Sequence, residues 1–469
     1  MLSRFAGPLS VLTLIILLPM EIHAQSSYQA LPNAPQEAKP LFTAWAQSPL
    51  PAPQSSQPTD LPATLTRQQA EKIALANNPH IHISQLIAKV QHQAVRERRA
   101  DELPNLNGSA SAVEANDGSR LSSGSLTASR LLNHSGAGVS FSQLITDFGH
   151  TSNLVASAKL FEKARLADAE ASREDIVLAT DQVFFQVVEA QESLKVASET
   201  VTARESVTDQ VGALTASKLR SDLDLSFAQV NLSQSKLLQL DAQNNLDSSK
   251  AALSAVLGYD KEMNFTLVND PDRLPPLPPD VDSLIAQAIQ NRPDLQSLRY
   301  SEQAAQKFSK AQHEQLLPTI SALGLVGATP TGSPQYFISN WYGAVGANVS
   351  IPIFNGFRLT AQASEASLQA QAASEQTRAL RDQVVQDVRT AWLTANTALQ
   401  RVTVAGELLK EADTALDLAK TRYDLGLSSI VELSQAELQQ TQAAIGNANA
   451  RSQYNFAIAA IKFQIGVQP

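Results

Sequence analysis

The chain repeats itself, and the repeat limits its possible folds more than any single motif. "ALANNPHIHISQLIAKVQHQAVRERRADELPNLNGSASA" matches "AIQNRPDLQSLRYSEQAAQKFSKAQHEQLLPTISALGLV", so that Pro79 returns as Pro293 and Pro104 as Pro318, each 214 residues later. Further on, Gly149 in "ITDFGHTSNLVASAKL" answers Gly356 in "IPIFNGFRLTAQASEASL" at an offset of 207. Leu225 in "SDLDLSFAQV" answers Leu433 in "SIVELSQAEL" at 208. An offset that falls from 214 to 207 or 208 marks two tandem copies differing mainly by one loop.

The copies span 64–268 and 281–467, joined by the linker "NDPDRLPPLPPD" at 269–280. Each has the same order of elements. A short helix (about 64–77, then 279–291) meets an X-Pro break, and a second helix runs to about residue 102 or 316, closed by Leu-Pro. Two alternating segments follow. In "GAGVSFSQLIT", Val139, Phe141 and Ile145 fall on one face and Ser140, Ser142 and Thr146 on the other. "WYGAVGANVSIPI" sets Val345, Ala347, Val349 and Ile351 against Gly346, Asn348 and Ser350. "PNLNGSASAV" and "PTISALGLVG" alternate more weakly. From His150 to about Ala213 and from Phe357 to about Leu425 a helical pattern runs without proline. At ~1.5 Å per residue these are rods of ~100 Å, each followed by a returning helix.

Four strands of about ten residues cannot stay open in lipid, where every unpaired edge group lacks a partner. Four are also too few to close alone, because spanning barrels start at eight strands. Several copies of the chain must therefore share one barrel. Tyr336, Phe337, Trp341 and Tyr342 cluster at one end of the last strand, with Phe148 and Phe354 at the other, as two interfacial girdles. The rival reading of the pattern is a small soluble sheet packed on helices. Rods of ~100 Å serve no compact core.

The first 24 residues carry one Arg, an apolar run centred on Val11 to Leu18 and a polar stretch ending in Ala24, which reads as a secretory signal, too short for a spanning helix. Residues 25–63 are rich in Pro, Ser and Gln and read as a disordered tether. The chain contains no Cys, which excludes disulfides and a lipid anchor on an N-terminal Cys. A net charge of −9 argues against nucleic acid as a partner.

The doubled plan of paired strands and long helices, the X-Pro and Leu-Pro breaks, and "RYDLGLSSIVELSQAEL" together resemble the TolC-type outer-membrane efflux proteins. The resemblance covers about 64–467 and implies a membrane α+β fold. In that fold three chains each give four strands to a twelve-stranded barrel, continued by a long periplasmic α-helical barrel. It also implies an outer-membrane location facing the periplasm, a homotrimer, a periplasmic adaptor protein, an inner-membrane pump and export of small molecules, with no cofactor. Protein or peptide secretion is the alternative within the class. An adhesive trimeric stalk is the alternative outside it, but a stalk needs one sustained heptad seam, and this chain folds back twice. A passive porin lacks the rods.

The reversals between long helices carry the candidate site. Gly426 suits a left-handed helix end, and Ser429 to Glu432 fit a capping box for the next helix. In the first copy Ser221 to Asp224 fit the same cap, with Lys218 standing where Gly426 would be. Asp224 and Glu432 read as caps on this pattern alone. The resemblance instead sets Asp224, Tyr423 and Glu432 around a gate at the closed tunnel end. It makes Lys218, Leu219, Arg220 and Ser221, with Gly426, Leu427, Ser428 and Ser429, the tips that dock the adaptor. One departure stands out. The family gate has an Arg after the glycine and a second Asp further on, where this chain has Ser428 and Gln435.

Other motifs lead nowhere functional. Asp147-Phe148-Gly149 spells a kinase triplet, but no glycine-rich phosphate loop or "HRD" precedes it. Gly149 and Gly356 instead read as strand-to-helix corners. His80, His82 and His92 do not complete a metal-ligand spacing, and no nucleophile-base-acid set is visible, so the chain reads as no enzyme.

Overall fold

The computed structural model describes residues 64–113, 120–123, 126–130, 134–261, 263, 265–268, 274–328 and 341–467. The signal and tether expectations, the start of the linker, and Tyr336 and Phe337 lie outside the described residues. The first copy runs β1 (Thr64–Leu65), α1 (Arg67–Asn77), α2 (Pro79–Ala100), β2 (Asn105–Val113), β3 (Arg120–Ser123), β4 (Leu126–Arg130), β5 (His134–Thr146), α3 (His150–Ala216), α4 (Asp222–Val256) and β6 (Thr266–Leu267). The second runs α5 (Val281–Asn291), α6 (Pro293–Glu314), β7 (Thr319–Ala328), β8 (Trp341–Ser350), α7 (Arg358–Asp424) and α8 (Ile430–Gln464). Corresponding helices have equal lengths: 11 residues for α1 and α5, 22 for α2 and α6, 67 for α3 and α7, 35 for α4 and α8.

Proline sets the first break in each copy. Pro79 and Pro293 open α2 and α6 at a position whose N–H has no intrahelical acceptor anyway. Each forces its predecessor out of the helical region: ψ is 125° at Asn78 and 123° at Arg292. The long helices pack through small side chains, Ala158, Ala164, Ala169, Ala190 and Ala197 being buried on α3 and Ala363, Ala366, Ala395, Ala398, Ala412 and Ala419 on α7. No helix among the described residues is long and apolar enough to cross a membrane.

Each rod carries a hydrophobic cluster partway along it, the first completed by Ala459 of α8. In the first, Phe184, Phe185, Val187 and Val188 of α3 gather Ala70 and Ala74 of α1 with Leu246, Leu253 and Leu257 at the return of α4. In the second, Val384, Val388 and Ala395 of α7 gather Leu284, Ile285 and Ala288 of α5 with Tyr454, Ile458 and Ile461 of α8. Burying a side chain of this size is worth ~1.5–3 kcal/mol, so each short helix is held by a handful of such contacts. The parallel pair β1–β6 ties the two ends of the first copy together.

The main sheet is antiparallel in the order β2-β5-β7-β8, and β5–β7 joins the copies. Cross-strand partners place Leu106, Phe141, Gly324 and Val345 in one row and Gly108, Val139, Val326 and Gly343 in the next of the same face. The opposite face carries Asn107, Ser140, Leu325 and Ala344, then Asn105, Ser142, Leu323 and Gly346. The expected faces of Val139, Phe141, Val345, Ala347 and Val349 hold, and β2 alternates polar and apolar more cleanly than expected. Thr146 does not follow expectation. The register shifts between Leu144 and Thr146, leaving Ile145 unpaired and setting Thr146 opposite Ile320 in the apolar row of Val349.

The hairpin β3–β4 is a third difference, since the sequence pattern suggested only two strands per copy. Its Ser-rich run carries too little apolar alternation to register as strand. At either end of the main sheet, β2 and β8 each have one edge with no partner strand among the described residues.

Candidate functional site

The two longest helices, α3 and α7, leave the sheet from one end, each through a corner. Matching helix starts, His150 and Arg358, are 208 residues apart, so the corners align one residue away from the glycine-to-glycine match. Asp147 corresponds to Asn355, Phe148 to Gly356 and Gly149 to Phe357. Both middle positions are left-handed in each copy: φ is 59° at Phe148 and 113° at Gly149, then 64° at Gly356 and 63° at Phe357. The corner needs two consecutive left-handed residues, and glycine relieves one of them in each copy, not the same one. Asp147 Oδ2 accepts from Thr151 N at 2.7 Å and its Oδ1 from Gly149 N at 3.2 Å, while Asn355 Oδ1 accepts from Leu359 N at 3.3 Å. Burial works against the Asp147 carboxylate, but the bonds from Thr151 and Gly149 outweigh it and hold its pKa below the ordinary value. The kinase-like triplet is a helix cap at a bend. Phe148, Phe354 and Phe357 stand exposed here, the last two edge to face with ring centroids 5.6 Å apart.

At the far end the two reversals are near copies. Lys218 has φ 58° and Gly426 φ 72°, so the lysine takes the left-handed place that glycine fills in the other copy. Leu219 N donates to Leu214 O and Lys218 N to Thr215 O, both 2.9 Å; Leu427 N donates to Arg422 O at 2.8 Å and Gly426 N to Tyr423 O at 2.9 Å. These are paired Schellman closures. Ser221 and Asp224 complete a reciprocal capping box, at 3.1 Å from Asp224 N and 3.3 Å from Ser221 N. The second box is only half made. Ser429 Oγ accepts from Glu432 N at 3.4 Å, but the Glu432 carboxylate turns to Arg422 Nε at 3.1 Å in the last turn of α7.

Tyr423 is the buried centre of the site. It packs with Val211, Ala228, Ile430 and Leu433 beneath both tips, and its hydroxyl has no partner among the described residues. Burial first, then Asp224 and Asp424 nearby, push its pKa up against the pull of Arg220. Arg220 lies over the Tyr423 ring at 4.5 Å and donates to Tyr423 O at 3.1 Å, which couples the first tip to the end of α7. The structure thus brings Asp224, Tyr423 and Arg220 together, while Glu432 belongs to its own hairpin.

Sequence reasoning missed the polar seam leading up to this cluster. Thr200 Oγ1 lies 3.2 Å from Thr441 Oγ1, Arg204 Nε 3.7 Å from Glu437 Oε2, Asn231 Nδ2 donates to Ser434 Oγ at 2.6 Å, and Gln210 Nε2 to Asp424 Oδ1 at 3.3 Å. The first two contacts advance four residues on α3 and retreat four on α8. That antiparallel spacing was available as a signal once the two helices were paired. His92 Nδ1 meets Glu162 Oε1 at 2.7 Å, far from the tips, and His80 N is capped by Asn78.

A four-stranded sheet with two open edges, prolonged by rods of ~100 Å that double back at capped tips, is the architecture of a barrel-and-tunnel channel subunit. The chain belongs to the outer membrane efflux protein family, whose model matches it twice, over residues 72–259 and 284–467. It is 25% identical over 407 residues to the outer membrane protein TolC of Escherichia coli K12, covering 83% of this chain and 79% of that one. It is 24% identical over 421 residues to TolC of Salmonella enteritidis, covering 86% and 83%. The outer membrane protein VceC of Vibrio cholerae shares the fold, with a TM-score of 0.72 at 20% identity over 85% of this chain and 96% of that chain. The family and these relatives are channel proteins of the outer membrane, and the fold is TolC-like with an internal duplication.

Proposed function

We propose that this chain is one protomer of a homotrimeric outer-membrane exit duct, passing small molecules delivered by an inner-membrane pump through a periplasmic adaptor. The carrying observation is the sheet: among the described residues β2 and β8 are unpaired on one side, and the apolar face runs from Leu106 through Phe141 to Val345. In lipid each open backbone group costs several kcal/mol, which favours β8 meeting β2 of another copy, and the trimer that the resemblance to TolC-type proteins implies would close a ring of twelve strands. The opposite face, polar or small on β2 and β8 but carrying Leu323 and Leu325 on β7, then lines the lumen, and the rods prolong it across the periplasm. Residues 1–24 act as the removed export signal, 25–63 as a tether, 64–268 and 281–467 as the two repeats, and 269–280 as their linker. The tips, Lys218 to Ser221 and Gly426 to Ser429, are the surface farthest along the chain from the barrel, where an adaptor and the closed end belong.

Deleting the gene in its host and following a fluorescent efflux dye tests the reading. The deletion strain should accumulate the dye severalfold more than the parent, and the plasmid-borne gene should restore export. Unchanged dye levels together with loss of a secreted protein would move the assignment to secretion, and recovery of the protein as a soluble periplasmic monomer would remove the channel altogether.

A further inference from the structure

The two copies dock their first short helix onto the rod in chemically opposite ways. In the second copy α5 presents Val281 and Ile285, and Ile285 is buried against the Val384 and Val388 cluster. By the offset of 214 the same positions on α1 are Arg67 and Glu71. Glu71 is 3% exposed and faces Asp181 of α3, 4% exposed, where the position 208 residues later is Arg389, solvent-facing and 3.9 Å from Asp282. The second copy shows that this joint needs no buried charge to hold. The first copy nevertheless buries two carboxylates there.

Arg67 is their nearest cation, with Nη1 3.1 Å from Asp181 Oδ2 and Nε 3.5 Å from Glu71 Oε1. Among the described residues, Glu71 Oε1 and Asp181 Oδ1 have no hydrogen-bond donor. The two carboxyls are themselves in hydrogen-bond contact, so one proton between them would satisfy both oxygens. Beside them is a cavity of about 130 Å³ that Glu174 of α3 and Lys462 of α8 also line. The charged groups that act on Asp181 besides Glu71 are Arg67 from α1 and Lys462 from α8, while Glu174 of α3 lines the same cavity and, burial aside, answers chiefly to Asp294 and Arg292.

We propose that Glu71 and Asp181 form a proton-binding site that makes the docking of α1 onto α3 and α8 tighter in acid and looser toward neutral and alkaline pH. Burial is the main force raising Asp181, with Glu71 adding to it and Arg67 and Lys462 opposing, and its pKa moves from 3.8 to about 7. Glu174, raised chiefly by burial and then by Asp294, also reaches about 7. The docked helix holds its proton up to that value, whereas the released helix gives it up near the ordinary carboxylate value. Docking is thus fully favoured below the lower value, weakens across the interval, and has lost the whole contribution above the upper one. The site needs nothing from the cargo or the opening of the tunnel.

Hydrogen exchange on the purified full-length protein in detergent, corrected for the intrinsic pH dependence of exchange, reads this directly, because α5 serves as a control in the same sample. Between pH 5.5 and 8.0 the protection of α1 amides should fall about thirtyfold relative to α5. Asp181→Asn removes the carboxyl that burial raises and leaves Glu71 to Arg67, so α1 protection should become as flat with pH as that of α5. Equal pH responses of α1 and α5 in the unaltered protein would overturn the proposal, as would an Asp181→Asn protein that keeps the fall. The first comparison needs no variant and stands even if the substitution harms folding.

Discussion

Lys218 sits in a backbone conformation that costs a residue with a Cβ roughly 1–2 kcal/mol, and the second copy places Gly426 there instead. Lys218→Gly should therefore raise stability by about 1 kcal/mol, after the larger unfolded-state entropy of glycine is subtracted. Gly426→Ala should lower it by about as much. Denaturant unfolding of the two variants beside the parent checks both signs, and a destabilised Lys218→Gly would mean that the lysine side chain makes a contact worth more than the strain. This equivalence was legible because the duplication aligned Lys218 with Gly426. The corners were less so, because two adjacent left-handed residues let Phe and Gly exchange places, and matching glycine to glycine shifts the register by one. The role of Arg220 was illegible: its contact with Tyr423 joins residues more than 200 positions apart, and no local pattern reports it.

Helices were the easiest elements to read, since a proline-free run of helix formers has one plausible outcome, and the Pro-opened starts of α2 and α6 follow from proline's missing donor. Strand existence was legible too, but the bulge at Ile145 was not. A single extra residue is invisible in one strand's alternation and appears only when the partner's register is known. The faces give a sharp test at this scale. Arg at Val139 or Val349 would face lipid, where it costs ~2–4 kcal/mol near the midplane and ~0–1 kcal/mol near the interface, so Val139→Arg should reduce heat-stable trimer in the outer-membrane fraction more than Val349→Arg, one residue from the end of β8. Ser140→Arg and Asn348→Arg lie on the opposite face, paired with Leu325 and Ser321, and should assemble like the parent. Equal loss from both faces would mean the sheet is turned the other way or is not in lipid.

On the scale of the whole molecule, the question is whether the acids at the tips set a closed entrance or merely end helices. Around a three-fold axis, three copies of Asp224 and Glu432 would gather negative charge at a narrow opening and draw in cations. The local geometry separates the two roles better than the sequence did. Asp224 closes a reciprocal box with Ser221, so Asp224→Ala should cost about 1 kcal/mol whatever else it does. Glu432 returns no bond to the Ser429 backbone and pairs instead with an exposed Arg422, an interaction of about 0–1 kcal/mol, so Glu432→Ala should leave the cap on α8 and the stability nearly unchanged. If the acids act only as caps, the double variant should show the loss from Asp224 alone and an unchanged conductance. If they form the entrance, the double variant should conduct more and select cations less, and Glu432→Ala by itself should already shift selectivity without moving the unfolding midpoint. Planar-bilayer recording of the purified trimer beside an unfolding curve measures both quantities. Selectivity that stays the same in Glu432→Ala and in the double variant would remove the acids from the gate and leave Tyr423, with Arg220 across its ring, as the remaining candidate for holding the tips closed.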